Sequence, residues 1–140
     1  MTDLLDAIVR RLPPAVARDP HALLDREWLL TNGLGGYASA SVAGTATRKY
    51  HGLLVAALPN PLGRTVMLHH VEECVVLADG TRLPLGAEER TGGRLSLDGL
   101  AHLRDFRLEG GLPVWEFAVG DAALERRVVM PHRQNTTYLL

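Results

Sequence analysis

A chain of 140 residues with 46% hydrophobic content holds enough apolar mass for one domain with a real core and too little for a second. Fifteen basic against sixteen acidic residues leave a formal net charge of -1, so the electrostatic surplus that sequence-independent nucleic-acid binding draws on is missing. The single cysteine, Cys74, can close neither an internal disulfide nor a structural zinc site alone, which points to a reducing, cytoplasmic compartment.

The N-terminal stretch MTDLLDAIVRRLPPAV places acidic residues before its basic pair and interrupts its apolar run with charge, unlike a secretory signal. No apolar run approaches the length that spans a bilayer, so no membrane partner is expected. Leu4, Leu5, Ile8, Val9 and Leu12 recur at helical spacing, with Asp3 and Asp6 early, Arg10 and Arg11 late, and Pro13-Pro14 against continuation. This predicts one short amphipathic helix within a lead-in of residues 1–24.

From Trp28 onward short apolar or alternating runs are broken by turn residues at intervals typical of an all-β sandwich or barrel, predicting a β domain over 25–140. Gly52 to Leu58 reads as a strand buried on both faces, and Arg64 to Leu77 as two runs meeting near Glu72-Glu73. Asp79-Gly80 and Gly120-Asp121 read as tight turns. Glu88 to Gly99, rich in glycine and charge, reads as a surface loop. Trp115, Phe117 and Val119 share one strand face. Leu124, Val128 and Met130 line the next, where the intrusion of Arg126 suggests an edge or an interface. Gln134 to Leu140 looks like the opening of a further strand with no turn after it. That predicts a fragment, or a subunit completed by another chain.

Chemistry concentrates in EWLLTNGLGGYASASVAGTATRKYHGLLVAAL, residues 27–58, where small residues allow close approach and Asn32, Arg48, Tyr50 and His51 supply hydrogen-bonding groups and flat rings. Gly33-Leu34-Gly35-Gly36 has the wrong spacing for a phosphate loop and is followed by strand, not helix. His69-His70-Val71-Glu72-Glu73-Cys74 offers five possible metal ligands in six positions. Strand alternation divides them between two faces, so no metal and no other cofactor is expected. Glu72, Glu73, Asp79, Asp105, Glu116 and Glu125 could in principle supply a glycosidase carboxylate pair, but nothing selects two of them. Cys74, inside an apolar run, reads as a buried inert thiol. The reading left is sugar binding or domain docking, with Trp28, Tyr37, Tyr50 and Trp115 as flat amphipathic rings beside Asn32, Arg48 and His51.

The 27–58 run, followed by PLGRTVMLHHVEE and VVMPHRQNTT, resembles the N-terminal domain of bacterial and archaeal-type glycogen debranching enzymes; TNGLGGYAS and R-x-YHGLL carry most of the likeness. The resemblance implies a mainly β fold: an antiparallel, supersandwich-like β-sandwich with a short N-terminal α-helix, preceding a C-terminal helical (α/α) barrel that carries amylo-α-1,6-glucosidase action. It also implies an association with 4-α-glucanotransferase activity. It assigns no catalytic residue here, so the chain alone is expected to be inactive. Implied partners are glycogen or a maltooligosaccharide, and the barrel itself. Trp28, Asn32, Tyr37, Arg48, Tyr50 and His51 are then candidates for substrate binding or domain docking. The alternatives are a purely structural docking module and a stand-alone carbohydrate-binding module. Three positions depart from the family pattern: Ala40, commonly Gly or another small residue; Lys49, frequently Arg; and Arg133, usually Gly.

Overall fold

The computed structural model describes residues 8–140, within which antiparallel strands dominate. The chain runs through strand β1 (Val9–Arg11) and helices α1 (Pro14–Ala17) and α2 (Pro20–Asp25) before the first sheet hairpin. The helix expected over Leu4 to Leu12 is displaced. Its first half lies outside the described residues, and Val9–Arg11 instead pairs antiparallel with the later strand Leu103–Glu109, where Arg11 forms an ion pair with Asp105. The proline pair starts a helix rather than ending one: Pro14 opens α1, where a missing N–H costs nothing. Pro20 does the same for α2, whose N-cap Asp19 accepts from the backbone N–H groups of His21 and Ala22.

The remaining strands are β2 (Glu27–Thr31), β3 (Tyr37–Ser41), β4 (Gly52–Leu58), β5 (Gly63–Leu68), β6 (Glu73–Val76), β7 (Arg82–Arg90), β8 (Arg94–Gly99), β9 (Leu103–Glu109), β10 (Leu112–Val119), β11 (Ala122–Val129) and β12 (Tyr138–Leu139). They form three sheets with orders β1-β9-β10-β11-β12, β2-β3-β4-β5 and β6-β7-β8. The first two pack face to face as a sandwich. At their centre Trp115 of β10, 1% exposed, meets Trp28 of β2 edge-on at 5.7 Å and Phe106 of β9 at 5.0 Å. Its indole N–H donates to the Val42 carbonyl at 2.8 Å, so the polar end of the largest core residue is satisfied. The continuous apolar run of β4 behaves as expected: consecutive Val55 and Ala56, on opposite faces, are both buried. The third sheet joins the sandwich through a hydrogen bond from the Ala87 N–H to the Ala43 carbonyl at 2.7 Å.

Several local expectations are corrected. Glu88 to Gly99 is not a loop but most of the β7–β8 hairpin, turning at Gly92 and Gly93 with φ of 83° and 73°. Its polar composition serves cross-strand pairing, since Arg90 lies against Glu88, Ser96 and Asp98. Cys74 is exposed, on the edge strand β6, and its sulfur accepts from Arg82 Nη2 at 3.0 Å. Arg126 is buried, and β11 pairs with β10 along its length but with β12 only from Arg127 onward, so the strand is unpaired on one side beside Arg126. Of Gln134 to Leu140, only Tyr138–Leu139 is strand, because Gln134 and Asn135 are drawn into loop contacts described below.

The outer face of the first sheet is charged. Arg107, 6% exposed, donates to Asp105, Glu109, Glu116 and Glu125, and Arg127 adds contacts to Glu109 and Glu125. Burial works against the Arg107 charge, but its hydrogen bonds to Glu109, Asp105 and Glu125 outweigh that and push its pKa up. Glu109, held by Arg107 and then Arg127, stays below the usual carboxylate range. Three carboxylates once considered for catalysis, Asp105, Glu116 and Glu125, are thus structural ion-pair partners.

Candidate functional site

Strand alternation puts Glu27 and Leu29 on the outer face of β2 and Trp28 on the inner face. The outward Glu27 then gathers three residues from the RKYH segment more than twenty positions on. Arg48 Nε donates to Glu27 Oε1 at 3.0 Å and the Tyr50 hydroxyl donates to Oε2 at 2.8 Å. His51 lies beneath, fully buried, with Nε2 3.6 Å from Oε1. Its Nδ1 accepts from the backbone N–H groups of Thr47 at 2.9 Å and Arg48 at 3.2 Å. An accepting Nδ1 cannot also carry a hydrogen, so the neutral ring holds its proton on Nε2, facing the carboxylate.

The electrostatics agree with this geometry. The Tyr50 hydrogen bond holds the Glu27 carboxyl below its ordinary pKa despite some opposing desolvation, with His51 and Arg48 adding to the effect. The same bond raises the Tyr50 phenol. Burial keeps His51 below the ordinary imidazole value and therefore neutral near pH 7, although Glu27 pulls the other way. Glu27 is an anion held by two donors, Arg48 and Tyr50, while the buried His51 Nε2 stays beyond hydrogen-bond distance.

Beside it lies an open depression of about 610 Å³ lined by Glu27, Trp28, Leu29, Tyr37, Ser39 and Tyr50. The Tyr50 ring is 52% exposed at its rim, edge-on to His51 at 5.1 Å, and its carbonyl accepts from the Tyr37 hydroxyl at 2.6 Å. A donor-flanked carboxylate, an exposed aromatic face and an apolar floor together suit an uncharged ligand bearing both hydroxyls and C–H surface.

Of the six residues singled out in the sequence, the structure brings Tyr37, Arg48, Tyr50 and His51 together. Trp28 belongs to the core, its ring packed on Trp115, and only borders the depression. Asn32 sits at the far end of β2, roughly 16 Å away at about 3.3 Å per residue. It is fully buried: its Oδ1 accepts from the N–H groups of Leu34 at 2.9 Å and Gly36 at 3.1 Å, while Nδ2 donates to the Gln134 carbonyl at 3.0 Å and to Asn135 Oδ1 at 2.9 Å. Asn32 thus clasps the TNGLGG turn to the PHRQN turn, and its polar atoms face the protein. The His132 ring lies against Gly33, at φ 76°, where any Cβ would overlap it. Glu27 was missed in the sequence. Its signal was its place at the head of the same motif, two strands before a conspicuous Arg-Lys-Tyr-His run.

Arg133 closes the clasp, its N–H donating to the Asn32 carbonyl at 2.6 Å, and it does so at φ 60°, the left-handed region. Gly is usual there in the resembling family, and the conformation explains why. Arg133→Gly is expected to raise the unfolding free energy by about 0.5–1 kcal/mol, read by denaturant titration.

The other candidate chemistries do not assemble. Glu73 pairs with Arg126, and Asp79 accepts from the Thr81 N–H in a turn. Within His69 to Cys74 only the last two residues belong to a strand, and no group of three or more His, Cys, Asp or Glu placed to hold a metal occurs among the described residues. None of the described helices is long and apolar enough to cross a membrane.

Fold and surface together define an antiparallel β-sandwich module carrying an aromatic and carboxylate face. The family described as "Glycogen debranching enzyme N terminal" matches residues 26–140, and the chain belongs to that family. No curated protein and no solved structure matches it.

Proposed function

We propose that this chain is the glucan-facing, barrel-supporting N-terminal module of an enzyme that breaks down glycogen or a related α-glucan in the cytoplasm. In that enzyme a helical-barrel partner would perform amylo-α-1,6-glucosidase chemistry, alongside 4-α-glucanotransferase activity. The observation that carries the glucan-facing reading is the fixed Glu27 carboxylate beside the exposed Tyr50 ring, over a depression that suits hydroxyls and C–H surface. Family membership supports an α-glucan as the substrate class, and the free Cys74 thiol fits a reducing compartment. Docking is the second reading, favoured by apolar side chains exposed on the same sheet, namely Leu29 on β2 and Val66, Met67 and Leu68 on the edge strand β5.

The test is Glu27→Ala and Arg48→Ala in the complete enzyme. The glucan-facing reading predicts a KM for glycogen raised about tenfold with the unfolding midpoint little changed, as expected when charge-assisted hydrogen bonds to ligand are lost. Unchanged kinetics with weakened association between this module and the barrel would instead establish docking.

A further inference from the structure

The Arg48-Lys49-Tyr50-His51 turn is closed by the His51 N–H donating to the Arg48 carbonyl at 3.1 Å, and the imidazole pins it from inside. Nδ1 of the fully buried ring accepts from the Thr47 N–H at 2.9 Å and from the Arg48 N–H at 3.2 Å. Two backbone donors thus depend on one nitrogen staying unprotonated. Nε2 is no alternative acceptor, because it carries the ring proton and has no hydrogen-bond partner, 3.6 Å from Glu27 Oε1. Both carboxylate oxygens are engaged by other donors, Oε1 by Arg48 Nε and Oε2 by the Tyr50 hydroxyl. The turn that presents Arg48 and Tyr50 to Glu27 therefore rests on the charge state of a ring that touches no solvent.

Only Nδ1 of the neutral ring is open to a further proton. A proton placed there points at the Thr47 and Arg48 N–H groups, so two hydrogen bonds become donor-to-donor contacts. Neither a tautomer change nor a ring flip restores an acceptor, because both nitrogens of an imidazolium are donors. The surrounding charges divide. Glu27 on β2 favours the cation, whereas Arg48 on the same turn and His69, just after β5, disfavour it; the Tyr50 ring stands edge-on at 5.1 Å. Burial is the largest influence and sets the ring below the ordinary imidazole value. A group depressed in this way binds its proton more readily once released. The turn is therefore held at full strength above an imidazole's ordinary pKa of about 6.5 and loses its hold as pH falls through the lower folded value. Glu27 is held below the usual carboxylate range, so its own protonation belongs to a more acidic interval. We propose that His51 is a proton-operated latch: neutral, it fixes the turn from Thr47 to His51 and with it Arg48 and Tyr50 on Glu27; protonated, it releases the turn and dismantles this face while the sandwich stays folded. The central packing at Trp115 uses none of these contacts. The latch is a property of the turn and does not depend on what Glu27 and Tyr50 face.

The experiment follows the full 140-residue chain by NMR as pH is lowered from about 8 until Glu27 titrates. The His51 ring signals and the Thr47 and Arg48 amides are expected to move in one transition with its midpoint below about 6.5. Protection of those two amides against hydrogen exchange, corrected for the intrinsic rate, should fall about tenfold per pH unit beneath that midpoint. Val114, paired on both sides within β10, keeps its protection throughout. His51→Asn sets a carbonyl oxygen near the Nδ1 position, holds the turn without a titratable ring and is expected to give a flat profile. His70, also set below the ordinary imidazole value by burial, is the rival source, and His70→Gln is expected to leave the transition in place. If His51→Asn fails to fold, coincidence of the ring and amide curves in the unsubstituted chain decides. Ring titration with Thr47 and Arg48 still protected overturns the latch, as does a His51 ring that stays neutral until Glu27 protonates. A transition that persists in His51→Asn, or disappears in His70→Gln, overturns it as well. So does equal loss of protection at Val114, because His51 would then govern the whole fold and not one turn.

Discussion

Trp115→Ala lowers the unfolding free energy by about 4 kcal/mol, the scale of a large aromatic removed from a packed core. The residue is 1% exposed and stands where the two main sheets meet, touching Trp28 and Phe106. Truncation removes three interactions at once: the aromatic packing, the indole donor to the Val42 carbonyl, and the ring under the Arg126 guanidinium. Against a typical stability of roughly 5–15 kcal/mol, such a loss leaves a marginal fold, with the thermal midpoint down by about 12 °C. Trp115→Phe, which keeps a ring but no donor, should recover about half. A loss below about 1 kcal/mol in the alanine variant would mean that the sheets do not meet at Trp115.

Asn32→Ala is the second large effect, at about 3 kcal/mol, although the residue contributes little apolar area. One amide satisfies the Leu34 and Gly36 N–H groups and the Gln134 carbonyl, and all of these are stranded by truncation. The damage should be local. Hydrogen exchange at Leu34, Gly36 and Arg133 should accelerate far more than at β10 amides such as Val114, because the clasp joins two turns at the end of the sandwich rather than its centre. Equal acceleration everywhere would place Asn32 in the global core instead.

These residues also mark what a sequence can reveal. Period-2 alternation and turn residues exposed the β-sandwich, the buried run of β4, the inward face of β10 and the turns at Asp79-Gly80 and Gly120-Asp121, because each depends on neighbours in the chain. The β7–β8 hairpin was hidden because its register rests on Arg90 reaching across to Ser96 and Asp98, so its charge resembled a solvated loop. Val9–Arg11 carried helical spacing but gained a sheet edge on β9, an option no local pattern displays. Arg126 suggested an edge or an interface, but its place over Trp115 was not legible, since the ring and the ion-pair partner come from other strands.

The candidate site divides in the same way. Arg48, Tyr50 and His51 were legible as a cluster because they are consecutive or nearly so. Glu27, which orders them, was not, because only the β2-β3-β4 sheet brings position 27 beside positions 48–51. Asn32 stood out as a polar group in a glycine-rich turn, but its partners lie about a hundred residues away in sequence, in the PHRQN turn. Family motifs identified the module, while the roles within those motifs needed coordinates.

The most direct test of the glucan-facing account is calorimetric titration of the folded chain with a maltooligosaccharide long enough to cover the Tyr50 face, repeated with Tyr50→Ala and Glu27→Ala. The account predicts saturable heat from the wild-type chain and a component of it weakened about tenfold in both variants. A cooperatively folded chain that gives no heat with maltooligosaccharide or glycogen would contradict it and leave this face as a surface for the neighbouring domain.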